Sequence, residues 1–496
     1  MAEDRPTTTA NVSPIDAVDE ARKLWLSAEF TSDLKTVERL YRGALSSSKS
    51  RARTSTSTNN IGKNESDHPN DKDDDDDNSD DNGKRVKKKP RLHSNLKKSE
   101  YKKASEKLAL LMCQSGRAKK AKDRLSKLGF KCRLSRSVLD YDEEQYDDAD
   151  DNDADGNESK KKNKIKKIKP GTTSNADDDA DADKNGNKDG SSCPCYILDN
   201  YLNQHEIQHL RSVFQSPSAN YWVHHNYNIE PPSPYFSYIL PLSESSASNK
   251  YGFIGKLIHN IYKNKHINSK FPRLKDATQV EMWAHNRPHA SGHQLHFDSD
   301  DEGRGGVRNP IISTILYITA GCGGPSLVTN QKLTDPHLAS KGWLSFPKNE
   351  RLIAFDGRYL HGVIPGKGVK SGRRVTLMFA FWPEIRIRHG DEPGSARPFP
   401  SQKYRNKNHS SRSSEKAVEE WAQKLVLNAP EISQSPSSPD ADKTADNNQN
   451  SSSSSSSSSY TETNPIEIDR VYESLGGKCW SKSNGLPEYD AVFQGF

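Results

Sequence analysis

Three short stretches carry side chains suited to metal chemistry: HFD at 296–298, LHG with His361, and GRR with Arg373 and Arg374. On a strand, residues two apart face the same side. An HxD pair therefore sends His296 and Asp298 into one space and Phe297 to the other side. A second imidazole arriving from a distant strand at His361 completes a set of two nitrogens and one carboxylate. That set suits Fe(II) and leaves positions open for chemistry. Arg374 opens RVTLMFAFW, an alternating run that reads as a core strand. A guanidinium buried near a metal needs an anionic partner, because an uncompensated charge there is costly. A dicarboxylate co-substrate supplies one through paired, charge-assisted hydrogen bonds.

Other residues nearby read differently. His293 stands three before His296, which on a regular strand turns it to the opposite face, so it is read as structural or as supporting the ligands. His285 and His289 are expected in a polar loop, facing solvent or the pocket rim. Arg373 alternates with Arg374 and is expected to face away. The cluster Asp300, Asp301 and Glu302 fits either a solvated loop or selection of a basic substrate peptide.

The elements that must position these groups are short. From Cys193 the chain alternates apolar stretches with Gly, Pro and Asn. PCYILDNYL is followed by the helical pattern NQHEIQHLRSVF. Then come YWVHHNYNI, YFSYIL, QVEMW, HQLHFD, ISTILYIT, PSLVTN, WLSFP, RLIAF, GVIPG and RVTLMFAFW. Many short strands with turn signals between them predict a mainly β sandwich or barrel with flanking helices, over 193–390.

The rest of the chain has a different texture. Only 31% of the 496 residues are hydrophobic while 28% are charged, too little apolar surface for a core along the whole length. Disorder is expected at 1–15, in an insert at 46–93 and in a charged linker at 141–192. It is also expected over most of 391–464, which includes the tract Ser451–Ser459 and one short helix near Ser414–Leu427. The net charge of +6 is a small remainder of large local charges. KRVKKKPR at 84–91 and KKKNKIKKIK at 160–169 have the form of nuclear import signals, or else neutralise adjacent acidic runs. MAEDRPTTTA lacks an apolar leader core, no stretch approaches a membrane span, and six cysteines are too sparse for a disulfide framework. A nuclear or cytoplasmic protein with reduced thiols, neither secreted nor membrane-bound, is expected.

Two helical segments, 16–45 and 94–140, make up a small all-α N-terminal region. In the first, Leu24, Ala28, Leu34, Val37, Leu40, Tyr41 and Ala44 recur at helical spacing. In the second, Leu108, Leu111, Met112, Ala121 and Leu125 are core positions and Gly116 marks a turn. This second segment resembles a tetratricopeptide-type hairpin. Two repeats rarely stand alone, so the unit is expected to pack on itself or on the β domain, with a peptide-binding groove as the alternative. The apolar residues Tyr489, Phe493 and Phe496 suggest that 465–496 docks on the β domain.

HxD, a distant His and then R-x-[ST] on the next strand resemble the 2-oxoglutarate and Fe(II)-dependent dioxygenase superfamily, most closely its prolyl 4-hydroxylase-like branch. The likeness covers about Pro194 to Glu384, and includes SGHQLHFDSD and the strand ISTILYIT running into GCGGP. It implies a double-stranded β-helix, related to the jelly roll, with Fe(II) on His296, Asp298 and His361 as the catalytic centre. It also implies 2-oxoglutarate held at its far carboxylate by Arg374, Thr376 and Tyr317, and ascorbate to keep the iron reduced. Two departures stand out. Trp283 occupies a place where many relatives have Tyr, and about three extra residues, Arg287 to His289, precede HQLHFD.

The expected activity is hydroxylation of a protein side chain, prolyl first, with release of succinate and carbon dioxide. One iron site serves many substrates, so nucleic-acid and small-molecule oxidation remain alternatives. Nucleic acid is less favoured because the basic runs lie in linkers rather than on the barrel. From a different class comes a non-catalytic interaction protein with an inactive or cupin-like barrel. Oligomeric state is open.

Overall fold

The structure, a computed structural model, describes residues 13–28, 31–55, 96–141, 193–227, 236–243, 251–300, 307–387, 395–400, 419–427, 460–476 and 492–495. The basic runs at 84–91 and 160–169, the serine tract, Asp301, Glu302, Tyr489 and Phe496 lie outside them.

Helices α1 (Pro14–Leu26) and α2 (Thr31–Ser55) form one pair, and α3 (Lys98–Gln114) and α4 (Ala118–Lys127) a second. Ser13 caps α1 by accepting from the Asp16 N–H, with Pro14 in the first turn, where its missing N–H costs nothing. Gly116, at φ +73, makes the turn between α3 and α4 in a conformation that favours glycine. The first helical segment is the pair α1 and α2, and α2 runs to Ser55, beyond residue 45. The region is not all-α. Cys132–Leu134 is a strand, β1, followed by the short helix Arg136–Leu139. β1 has no local signal, because its partners come from the far end of the chain.

The β domain is built from β2 (Cys195–Asp199), β3 (Tyr238–Pro241), β4 (Gln279–Pro288), β5 (His293–His296), β6 (Ile312–Tyr317), β7 (Ser326–Lys332), β8 (Gly342–Ser345), β9 (Leu352–Asp356), β10 (Tyr359–Val363), β11 (Arg373–Trp382) and β12 (Arg397–Pro398). The C-terminal part adds β13 (Thr461–Thr463), β14 (Ile466–Ile468), β15 (Tyr472–Ser474) and β16 (Val492–Phe493). One sheet has the order β12-β3-β4-β11-β6-β9-β2-β13 and the other β14-β8-β7-β10-β5. Trp283, Tyr317, Val328, Trp343, Phe355, Met378 and Trp382 fill the space shared by their inner faces. The stretch YWVHH, expected as a strand, is instead the short helix Asn220–His224, whose Tyr221 and Trp222 enter the helix-side core. Its i/i+1 aromatic pair fits either period, so tertiary packing decides.

Each sheet also buries its outer face. Helix Gln204–Phe214 packs Ile207, Leu210 and Phe214 with Leu316, Phe379 and Phe381 of the larger sheet. Its start is a capping box: Asn203 accepts from the Glu206 N–H, and the Glu206 carboxylate accepts from the Asn203 N–H. Behind the smaller sheet lies the helical unit, where Leu108, Leu111 and Leu125 share a core with Leu295, Leu327, Leu344 and Leu360. The C-terminal strands join the two parts. β13 pairs with β2 and β14 with β8, while β15 and β16 flank β1 on either side. The C-terminal segment therefore docks on the helical unit as well as on the β domain, and begins at 461. The short helix expected in the preceding linker is Glu420–Val426.

Among the described residues, no helix is long and apolar enough to cross a membrane. The described cysteines Cys113, Cys132, Cys193, Cys195 and Cys322 are free thiols.

Candidate metal centre and its surroundings

His296 ends β5 and stands directly opposite His361 on the antiparallel neighbour β10, so two imidazoles lie side by side. Asp298 follows two residues past the strand end. Its Oδ1 lies 3.6 Å from His296 Nε2 and its Oδ2 3.6 Å from His361 Nε2. One ligand atom from each of the three lies within 4.8 Å of the others. Both rings are oriented from behind. His296 Nδ1 is 2.8 Å from the Gln294 carbonyl and His361 Nδ1 is 3.0 Å from the Tyr359 carbonyl. A carbonyl can only accept, so each Nδ1 carries a proton, and Nε2 is the ring nitrogen that faces Asp298. Asp298 is held in turn by Ser313, whose hydroxyl donates to Oδ2 at 2.6 Å, and by Asn309, which donates to its backbone carbonyl at 2.6 Å.

Electrostatics follow from the packing. Burial opposes ionisation of Asp298, but His361 and His296 outweigh it and hold the carboxyl well below its usual range. Burial likewise works against a charged His361, and the Asp298 carboxylate more than offsets it, raising the imidazole. A carboxylate between two imidazoles is the donor set of a divalent transition metal rather than of Ca²⁺ or Mg²⁺.

The strand β11 positions the second group. Its interior residue Thr376 is in register with Tyr317 on β6 and His285 on β4, so those three form one row across the larger sheet. Arg374 lies two residues away on the same face and is only 3% exposed. Its Nη2 donates to Ser326 Oγ at 3.0 Å, and the same serine oxygen is 2.9 Å from the Tyr317 hydroxyl. The guanidinium carbon lies 5.2 Å from the Tyr317 ring centre. Among the described residues no carboxylate pairs with Arg374. Its Nε, the Thr376 hydroxyl and the Ser345 hydroxyl are buried without a hydrogen-bond partner. A buried cation with orphaned donors around it fits an absent anion.

Arg374 reaches this position because GCGGP leaves room. A Cβ on Gly323 would stand 2.6 Å from Arg374 Cδ, and Gly323 has φ +85. His289 fixes that turn: its Nδ1 accepts from the Gly323 N–H at 2.9 Å and its Nε2 bonds the Lys367 carbonyl at 2.7 Å. Expected near solvent, His289 is in fact buried. The same loop is gripped by the helical unit. Tyr141 donates its hydroxyl proton to the Pro365 carbonyl and accepts from the Lys367 N–H.

His293 is a second correction. Its ring stacks on His296 with centroids 4.6 Å apart, so the two share a face. The cause is a bulge. His361 pairs with His296 and Val363 with His293, two steps on β10 against three on β5. The extra residue reverses the alternation. His285, also expected in a loop, lies on β4 with its ring 5.3 Å from His293 and its Nδ1 3.3 Å from the Tyr227 hydroxyl. Burial holds both imidazoles well below their ordinary value. Ser313, Ser326 and Asn309 had no sequence signal, being short polar residues in apolar stretches or loops. Arg373 faces away from Arg374, as alternation demands, and donates to the Asn286 carbonyl at 2.8 Å.

On the other side of Asp298 is a cavity of about 80 Å³ lined by Trp283, Trp382, Ile385, Ala396, Glu281 and Asp300. Trp283 forms part of this wall.

No protein-family profile matches the chain, and no curated protein does. Solved structures give fold-level likenesses. A prolyl-4-hydroxylase from Pseudomonas putida is 16% identical, with a TM-score of 0.25 over 39% of this chain and 93% of that one. A 2OG-Fe(II) oxygenase family oxidoreductase from Burkholderia pseudomallei is 13% identical, with a TM-score of 0.22 over 41% and 88%. HygX from Streptomyces hygroscopicus, solved with nickel and 2-oxoglutarate bound, is 11% identical, with a TM-score of 0.24 over 40% and 87%.

Proposed function

We propose that the chain is a 2-oxoglutarate- and Fe(II)-dependent dioxygenase built on a double-stranded β-helix. The observations that carry this are the Asp298 carboxylate, 3.6 Å from both His296 Nε2 and His361 Nε2, and on β11 a buried Arg374 with an orphaned donor. His296, Asp298 and His361 hold the metal. Arg374, Thr376 and Tyr317 hold the far carboxylate of 2-oxoglutarate, with Ser326 orienting both Arg374 and Tyr317. When bound, ferrous iron supplies the redox chemistry that couples oxidative decarboxylation of 2-oxoglutarate to hydroxylation of a substrate C–H bond.

The protein's own part is positional. The carbonyls of Gln294 and Tyr359 keep each imidazole in the tautomer that ligates, and Ser313 fixes which way the Asp298 oxygens face. The cavity beside Asp298 joins the apolar side chains Trp283, Trp382 and Ile385 to the charged side chains Glu281, Asp300 and Arg386. It has about the space of two or three waters. That the substrate is a protein side chain, and a prolyl one, rests on the sequence resemblance.

The test is succinate formation. Protein prepared without oxygen is given Fe(II), 2-oxoglutarate and ascorbate, then exposed to air. Slow succinate release from wild type that disappears in His296→Ala is the expected result. Equal signals from both would end this reading. Side chains gaining 16 Da only in cells that contain the protein would identify the substrate.

A further inference from the structure

The helical unit carries a groove that the proposed chemistry does not use. It has a volume of about 660 Å³ and is lined by Lys35, Arg39, Arg42 and Leu45 of α2, Tyr101 of α3 and Arg124 of α4. Positions 35, 39 and 42 follow the i, i+4, i+7 spacing, so their cations form one stripe beside the buried Val37, Tyr41 and Ala44. One acid lines the groove, Glu38, and it is fully used. Arg117 donates to both of its oxygens at 2.8 Å, and Arg42 donates to Oε1 at 2.8 Å. The Arg117 hydrogen bond holds Glu38 down to about 2, so it is a carboxylate at neutral pH with its lone pairs engaged.

That leaves Lys35, Arg39 and Arg124 without a carboxylate partner among the described residues. Arg124 goes further. Its Nε is shielded from water and has no hydrogen-bond acceptor. Leaving such a donor unmatched is costly, and an acceptor brought from outside recovers that cost. A carboxylate is the natural one, since a guanidinium takes it through two parallel bonds. The α2 stripe from Lys35 to Ser46 is about 16 Å long at 1.5 Å per residue, the span of roughly five residues of extended chain. Single-stranded nucleic acid uses several stacking platforms, whereas Tyr101 is the aromatic residue lining this groove.

We propose that this groove is a docking site for an acidic, extended peptide segment of a partner protein.

The probe is a fluorescein-labelled octapeptide of alternating Glu and Leu, read by anisotropy on the full-length chain. The same peptide with Gln for Glu, and a labelled oligo-uridylate, are the comparisons. Saturable binding of the Glu peptide is expected, weakened about tenfold or more by the Gln exchange and by salt. Arg124→Gln and the exposed Arg39→Glu each weaken it about tenfold, the loss of one charge-assisted hydrogen bond. Lys127→Glu, on α4 but outside the groove, leaves it unchanged. Melting curves establish that each variant is folded, and Arg39→Glu keeps the test valid if Arg124→Gln is not. Any of four results overturns the proposal: no saturable binding; equal weakening by Lys127→Glu, which means diffuse charge; tighter binding of the oligo-uridylate through the same residues; or peptide binding that appears only after Asp73–Asp77 are changed to Asn, which makes the chain's own acidic run the occupant.

Discussion

Replacing Arg374 with Met separates what the buried guanidinium does for the fold from what it does for a ligand. In the protein as described, Arg374 is 3% exposed and has no carboxylate partner, and its Nε has no acceptor. Removing an uncompensated buried charge is neutral or favourable, because the chain no longer pays for its desolvation. Ser326 and Tyr317 still satisfy each other at 2.9 Å, so no new orphan appears. The variant should therefore melt at the wild-type temperature or above it. The 2-oxoglutarate affinity should move the other way. Two charge-assisted hydrogen bonds are worth about 1.5–3 kcal/mol each, or roughly 3–6 together. At about 1.4 kcal/mol per decade this is a loss of at least ~10²-fold, with the Thr376 and Tyr317 hydroxyls keeping the result near that lower end. The assay is calorimetric titration of 2-oxoglutarate into protein loaded with Mn(II), a stand-in that does not turn over. A Kd changed by less than threefold refutes the assignment of Arg374. A melting temperature that falls as for a core truncation refutes the claim that it is uncompensated.

The remaining predictions concern the supports. Gly323→Ala forces a positive φ on a residue with a Cβ, at about 1–2 kcal/mol, and drives that Cβ into Arg374; the melting temperature should fall and 2-oxoglutarate binding weaken about tenfold or more, with metal binding unchanged. His289→Ala removes the link between Gly323 and Lys367, about 1–3 kcal/mol; KM for 2-oxoglutarate should rise with kcat nearly constant, and an equal fall in kcat would count against the link. Asp199 accepts from Arg351 at 2.6 Å, from Lys348 at 3.2 Å and from Thr463 at 2.9 Å, so Asp199→Ala leaves a half-buried guanidinium without its carboxylate, at a cost of about 1–3 kcal/mol. Burial raises the Asp199 carboxyl, but Arg351 outweighs it and the net shift is downward. That stabilisation is fully present above the unfolded carboxyl pKa and is lost as pH falls through the lower folded value, so the melting difference between wild type and Asp199→Ala should shrink in acid below about pH 4.

Strand alternation, a local rule, put His296 and Asp298 together in the sequence, although Asp298 lies two residues past the end of β5; His361 joins them only through the non-local pairing of β10 with β5. Alternation held wherever the pairing was regular, as for Arg373 and Arg374 on β11. It failed at His293, where one extra residue in β5 reverses the faces, and a bulge leaves no mark in residue type. It also failed for His285, read as a loop residue beside Asn286, Arg287 and Pro288, whereas His289 does lie in the turn after β4 but is buried rather than solvent-facing. β4 continues to Pro288 because β11 pairs with it up to Arg373. Strand β1 could not be read locally at all, since it exists through pairing with residues more than 300 positions away. Ser313 and Ser326 owe their roles to cross-strand geometry. The apolar faces were easier: Leu108, Leu111, Met112, Ala121 and Leu125 are all buried, since helical spacing alone selects a face.

The central claim is a ferrous ion gripped by three side chains, and anomalous X-ray scattering at the iron edge tests it most directly. Crystals grown without oxygen in the presence of Fe(II) should give one strong peak about 2 Å from His296 Nε2, an Asp298 oxygen and His361 Nε2, absent from Asp298→Ala crystals. A peak on other residues, or none in the wild-type protein at saturating iron, would contradict the account.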